Sequence, residues 1–233
     1  MPFKTKGLIP RAWRIIKRVV ICLFILQFIY ILLLKWVNPP ITLTQLGSWI
    51  GGDGLKRSYV PGKEISPYAK LAVISSEDQL FPDHDGFDFK NIEKAMKHNQ
   101  KSKSLHGAST ISQQVAKNVF LWQGRNWLRK GLEVYFTFMI ELIWGKKRIL
   151  EMYLNVSEMG KGVFGIEAAS RHYYNKPART LTRLEAAKIA ACLPNPKVYT
   201  VKPLSAHVAS RSAWIIGQMG ILQNDPDIQK LLQ

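Results

Sequence analysis

Five carboxylates crowd into twelve positions of this chain: Glu77, Asp78, Asp83, Asp85 and Asp88, with Phe81, His84 and Phe87 among them. Three chemistries fit such a cluster. A carboxylate pressed against aromatic surface has its pKa raised and suits a general base. Carboxylates together also take cations. Asp83-x-Asp85-Gly86 has a faint likeness to a calcium loop, but the other ligand positions and the closing Glu are missing. The third reading is a solvated acidic turn, which from this segment alone stands level with catalysis.

Two further blocks carry reactive side chains. In Gly107-Ala108-Ser109-Thr110-Ile111-Ser112-Gln113-Gln114-Val115-Ala116-Lys117-Asn118, helical spacing stacks Thr110, Gln114 and Lys117 on one stripe and Ile111, Val115 and Val119 on another. An N-cap and an ordinary surface stripe explain Ser109 and Thr110 well, but Gln113-Gln114 and Lys117 less well. Downstream, Arg125, Arg129 and Glu133 repeat every four residues. Helical ion pairing is the common reason for such spacing. This segment is otherwise apolar (Leu132, Val134, Tyr135, Phe136, Phe138, Met139, Ile140), and a charged stripe on a buried helix needs compensation, which favours a cleft. Arginines there suit bidentate phosphate contacts. Trp122 and Trp127 flank Arg125. Core packing is the default for them, with a lipid surface as the weaker reading. There is no His-Glu-x-x-His, Cys-x-x-Cys, Gly-x-Ser-x-Gly, P-loop or Ser-x-x-Lys, and the histidines lack zinc-ligand spacing.

The elements that must position these groups read as helices. Apolar periodicity predicts helices over 67–76, 90–99, 110–121, 129–144, 146–155, 167–174 and 206–222. Thr110-x-x-Gln113 and Thr182-x-x-Glu185 are capping boxes, the second opening a helix stopped by Pro194 and Pro196. Residues 100–108 read as a mobile loop. No run of alternating strands supports a sheet, so the class is mostly α. Cys22 and Cys192 are the only cysteines, which leaves no disulfide within the domain.

Residues 1–18 are a basic leader without acids, and 19–37 are apolar enough to span a bilayer, with Pro39-Pro40 as the expected stop. Residues 38–65, rich in Gly and Pro, read as a linker with a short strand or hairpin, and 66–233 as the catalytic domain. No small-residue cleavage motif follows the apolar run, so an anchor is preferred to a cleaved signal. The positive-inside rule puts the N-terminus in the cytoplasm and the domain outside it. The net charge is +17. Seven basic residues and no acids lie in residues 1–35, which leaves +10 for the remainder. A basic external domain favours a lipid surface or phosphate-bearing substrates over nucleic acid.

These blocks, in this order, resemble the peptidoglycan glycosyltransferases of family 51, and the monofunctional, Gram-negative branch above all. The matching motifs are Glu77-Asp78-Gln79-x-Phe81-x-x-His84-x-Gly86-x-Asp88, the Gly107–Asn118 block, Arg129-Lys130-x-x-Glu133, and Lys147-Arg148-Ile149-Leu150-Glu151-x-Tyr153-Leu154-Asn155 followed by Gly160 and Gly165-Ile166-x-Ala168-Ala169. The last runs from Leu181-Thr182 to Leu193-Pro194-Asn195-Pro196. The likeness covers roughly residues 60–220. Ala108 and Val134 depart from the usual pattern without touching the expected catalytic groups.

The resemblance implies a lysozyme-like glycosyltransferase domain with a membrane-embedded jaw, behind a single N-terminal transmembrane helix. It implies polymerisation of lipid II, with the lipid-linked glycan transferred onto the GlcNAc 4-hydroxyl with inversion and release of undecaprenyl pyrophosphate. Carried over by position, Glu77 is the general base and Glu133 a second catalytic carboxylate near the pyrophosphate, with Mg²⁺ or Mn²⁺ as the candidate bridging ion and no organic cofactor. Asp78, Phe81 and His84 are expected beside Glu77. Ser109, Thr110, Gln114, Lys117, Asn118, Arg125 and Arg129 are expected to bind substrate. A glycosidase must protonate a poor leaving group, whereas a pyrophosphate needs only charge neutralisation, which Lys117, Arg125 and Arg129 offer. The expected setting is the inner membrane, single-pass, with a periplasmic catalytic domain. Penicillin-binding and division proteins are candidate partners. Rival readings are a lysozyme-like hydrolase and a non-enzymatic wall-binding scaffold. The missing Ser-x-x-Lys argues against a transpeptidase module.

Overall fold

A computed structural model describes residues 8–101, 107, 109–124 and 126–233. The chain divides into two compact units, residues 1–38 and 39–233.

The first unit is α1 (Leu8–Leu33), apolar and long enough to cross a membrane over Ala12–Leu33. Leu23, Phe24 and Leu26 stand exposed on it, as lipid would require. The helix stops short of the expected Pro39-Pro40. Lys35 N donates to Leu32 O and Trp36 N to Leu33 O, so i→i+3 bonds enter the turn after Leu33, and Leu33 O also accepts from Val37 N.

The second unit begins with α2 (Leu43–Ile50), inside the stretch expected to be a linker. Thr42 and Gln45 form a capping box at its start, and the helix packs against α5 (Ile111–Phe120). Its eight residues are too few for a clear apolar period, and Gly47, Gly51 and Gly52 mask it further. β1 (Lys56–Arg57) follows and lies parallel to β3 (Val163–Phe164), which pairs antiparallel with β2 (Glu158–Gly160) in the order β1-β3-β2. Gly162 turns β2 into β3 at φ +67°, where a Cβ would lie 2.2 Å from the Asp53 carbonyl oxygen.

Two helical groups surround the site. In the first, α3 (Pro67–Glu77) packs against α9 (Arg183–Ala190), α10 (Ala206–Leu222) and α11 (Pro226–Leu232). Ser66 caps α3 and Pro67 starts it. Residues Ala69 to Ser75 are all buried, the one charge among them, Lys70, donating to Leu232 O at 3.0 Å. In the second group, α5 packs on α6 (Trp127–Ile143) and α7 (Lys146–Val156). Both expected capping boxes form, at Thr110/Gln113 and Thr182/Glu185. The remaining helices are α4 (Phe89–Lys101) and α8 (Ile166–Tyr174). The loop expected at 100–108 begins inside α4 and, Gly107 apart, otherwise lies outside the described residues.

Part of the fourth motif is structural. Asn155 bonds both the N–H and the carbonyl of Val60 at 2.9 Å, and Glu151 accepts from Gly62 N at 2.8 Å. Both clamp the chain that leads into α3.

The largest departure concerns α6, expected to be a buried apolar helix. Arg129, Glu133 and Thr137 are buried beside Met139 and Ile140, so the charged stripe faces inward as a cleft requires, whereas Trp127, Leu128, Phe138 and Leu142 are exposed, Trp127 by 90 %. Helical periodicity is the same for either orientation, so the tertiary contacts decide which face turns inward. Core packing of Trp127 is thereby overturned.

Candidate active site

The site lies where the C-terminus of α3 meets the N-terminus of α5. Glu77 is the last residue of α3 and Asp78 its C-cap. These neighbours point to different work.

Asp78 is buried and fully engaged. His84 Nε2 lies 3.0 and 3.1 Å from its two oxygens, and Ile111 N donates to Oδ2 at 3.0 Å. His84 Nδ1 accepts from Gly86 N at 3.1 Å, which leaves the proton on Nε2, facing Asp78. Asp78 thus ties the acidic loop to the first turn of α5. Thr110 adds a second tie, its hydroxyl donating to Gly86 O at 2.7 Å while capping α5. Gly86 holds φ +87° beneath Thr137 and Glu141, where a Cβ would come within 2.9 Å of both side chains. Phe81 is fully buried, with the His84 ring edge-on at 6.3 Å and Lys146 Nζ 4.6 Å over its face. Asp88 accepts from Asn91 N at 2.9 Å in the first turn of α4, and Asp83 and Asp85 are exposed. Replacing Asp78 with Asn removes acceptors from this junction. The expected cost is about 2 kcal/mol, or a fall of about 6 °C in Tm. A thermal melt of the detergent-solubilised protein checks it, and an unchanged Tm would show that the junction does not depend on the carboxylate.

Glu77 remains for chemistry. Gln114 Nε2 donates to its Oε2 at 2.9 Å and Ser76 Oγ to its Oε1 at 3.1 Å. Burial holds its carboxyl above the ordinary range. The two hydrogen bonds and the charge of Arg211 oppose that rise, and the charge of Asp78 adds to it. Arg211, from α10, anchors on Ser76 O at 3.3 Å and lies 3.8 Å over the Trp214 ring.

Glu77 lines one hollow, and two others meet at its partner Gln114 and at Lys117. One of about 390 Å³ is lined by Glu77, Asp88, Lys94, Ser109 and Thr110, among others. One of about 540 Å³ takes Thr44, Gln114, Lys117, Asn118, Tyr153 and Glu158. A third, of about 420 Å³, takes Ser109, Gln114, Lys117, Arg129, Lys130 and Glu133. The third is cationic. Glu133 is buried, accepting from Arg129 Nη1 at 2.8 Å and from Lys130 Nζ at 2.5 Å. Arg129 Nε is buried without a partner among the described residues, so the guanidinium keeps a donor in reserve. Burial, with the charges of Arg129 and Lys130, pulls the Lys117 ammonium below its usual range, opposed by Glu133 and Glu77. Lys117 therefore feels both carboxylates.

The expected site residues are thus gathered, with Asp78, Phe81, His84 and Thr110 occupied in building the junction. Arg125 lies outside the described residues. As a metal ligand Glu133 fits poorly, because each oxygen already accepts from a cation. Among the described residues no three His, Cys, Asp or Glu side chains converge. Lys130 and Tyr153 stood within the matching motifs without a site role, and Glu158 and Arg211 were passed over. Lys130 was readable, three residues before Glu133. Tyr153 reaches the site from α7, and the motif that holds it does not say where it points; Arg211 arrives from α10, and no local pattern announces it.

Residues 44–220 match the model of the transglycosylase family. The chain is 51 % identical over 219 residues to a biosynthetic peptidoglycan transglycosylase of Yersinia pseudotuberculosis serotype O:3 (strain YPIII), covering 91 % of each chain. It is 52 % identical over 217 residues to a biosynthetic peptidoglycan transglycosylase of Yersinia pestis (strain Pestoides F), covering 90 % of each. A half-buried carboxylate with a cationic hollow nearby sits on the scaffold that this family model spans, and the match over residues 44–220 together with these identities shows that the chain belongs to the transglycosylase family.

Proposed function

We propose that this membrane-anchored transglycosylase lengthens peptidoglycan glycan chains from lipid II, and that Glu77 is its base. Glu77 takes the proton of the acceptor GlcNAc 4-hydroxyl. The oxygen attacks C1 of the donor MurNAc, the bond from C1 to the pyrophosphate oxygen breaks, and the configuration at C1 inverts. Undecaprenyl pyrophosphate departs with the bonding pair, its charge met by Arg129, Lys130 and Lys117.

The observation that carries this reading is the pairing of one carboxyl held above its ordinary range with a separate cluster of cations. Glu133 is assigned to holding Arg129 and Lys130 in place, and no step is routed through a metal. The outward apolar face of α6 supports a lipid contact, and α1 supports tethering in the cytoplasmic membrane with the basic leader inside.

A raised carboxyl also suits the general acid of a glycan hydrolase. Purified protein supplied separately with lipid II and with preformed glycan distinguishes the two. The expected result is polymer from lipid II and unchanged preformed glycan. Shortened glycan without polymer would overturn the proposal.

A further inference from the structure

A buried tyrosine stands behind the proposed base. Tyr153, from α7, is fully buried, and its hydroxyl lies 3.1 Å from Gln114 Oε1. The other end of that amide, Nε2, donates to Glu77 Oε2 at 2.9 Å. Three helices, α7, α5 and α3, thereby contribute one side chain each to a single row: phenol, amide, carboxylate.

We infer that Tyr153 is a positioning residue for the base, its hydroxyl donating to Gln114 Oε1 and so holding the amide with its nitrogen toward Glu77. The inference rests on the reading of Glu77 as the base. An amide can face a carboxylate with either end, but an ionised carboxylate accepts only from the nitrogen. That orientation turns Oε1 toward α7, where it needs a donor. Tyr153 supplies one throughout the working pH range, because burial, reinforced by the charges of Glu77 and Asp78 and opposed by the Ser157 hydroxyl, pushes its phenol well above its ordinary value. Two hydrogen bonds in a row, both pointing toward the anion, polarise one another and favour the ionised form of Glu77. Other charged groups facing Glu77 are Asp78 beside it, Lys117 from α5 and Arg211 from α10. None of them touches the amide among the described hydrogen bonds.

The test is the pH dependence of kcat/KM for polymerisation by the full chain in detergent, with lipid II as substrate. The base works ionised, so activity falls as pH drops through its pKa, giving an acid limb. Tyr153→Phe removes one oxygen and keeps the ring. The expected result is an acid limb about half to one pH unit higher, with the alkaline plateau less affected. Gln114→Leu leaves the buried tyrosine in place and is expected to move the limb the same way. Adding Tyr153→Phe to Gln114→Leu should move it no further, because the phenol acts through the amide. A limb that stays put in both single variants, or shifts that add in the double variant, would overturn the inference. Glu77→Gln run alongside separates the two levels. If that variant polymerises at the wild-type rate, the base assignment falls and this inference with it. If it is inactive while the limb of Tyr153→Phe is unmoved, only the role of Tyr153 falls.

Discussion

Glu77→Gln reduces polymerisation by about a thousandfold and leaves the fold in place. The size follows from losing a positioned base, which contributes roughly 10²–10⁴ in rate. The fold survives because every hydrogen bond of the carboxylate has a counterpart in the amide. Gln114 Nε2 can donate to the new carbonyl oxygen, and the Ser76 hydroxyl can turn to accept from the new NH₂. Shape and satisfaction are kept, and only the ability to take a proton is lost. Turnover of a fluorescent lipid-linked precursor measures the first effect and a thermal melt the second, with Tm expected within about 2 °C of wild type. The pH dependence should agree. Burial holds the Glu77 carboxyl above the ordinary range, so wild-type activity should begin to fall at a higher pH than a free carboxylate would dictate. The residual rate of Glu77→Gln should lack that limb. A variant with wild-type turnover would sink the assignment.

Arg129→Ala has the second largest expected effect, a loss of about 10²–10³ in kcat. Removing one preorganised donor from a developing oxyanion costs about this much in acyl-transfer sites. Arg129 is well placed for it. Its backbone N–H is fixed by the Asn126 cap at 2.7 Å, its Nη1 by Glu133, and its Nε has no hydrogen-bond partner among the described residues. A buried guanidinium so held loses little further freedom on meeting a pyrophosphate. Arg129→Lys should recover only part of the rate, since an ammonium cannot reproduce the fork. Stability should also fall, by about 2 kcal/mol, because Glu133 then keeps Lys130 alone as its counter-charge. Single-turnover rates at saturating lipid II, with a melt in parallel, separate the two losses. Equal kcat in Arg129→Ala and wild type would exclude a role for this charge in the departure of the leaving group.

Much of the scaffold was readable from local patterns. The boxes Thr110/Gln113 and Thr182/Glu185 name their helix starts by chemistry confined to four residues, and both form. α10 runs over Ala206–Leu222, the span its apolar spacing predicts. The elements missed are short. α2 and α11 have eight and seven residues, and the strands two or three, which is too little for a period to show. They are held by partners distant in the chain, as β1 is by β3.

The sequence by itself determined the chemical inventory: one acidic cluster in a basic chain, a block with Gln114 and Lys117, a stripe with Arg129 and Glu133, and an apolar segment able to span a bilayer. Local pattern alone could not apportion the carboxylates, because adjacent residues at a helix end look alike in one dimension, and it was the family resemblance that named Glu77 as base and Asp78 as its neighbour in support. Tertiary structure decided that Asp78 bonds His84 and the first turn of α5, while Glu77 meets Gln114 and the open hollow. It also decided that α6 turns Arg129 and Glu133 inward beside Met139 and Ile140, and Trp127, Leu128, Phe138 and Leu142 outward. The physical reason is the same in both cases. Periodicity says which residues share a face, but only packing against chain 30 to 140 residues away says what that face meets, as the contacts of Asp78 with Ile111 and of Ser76 with Arg211 illustrate.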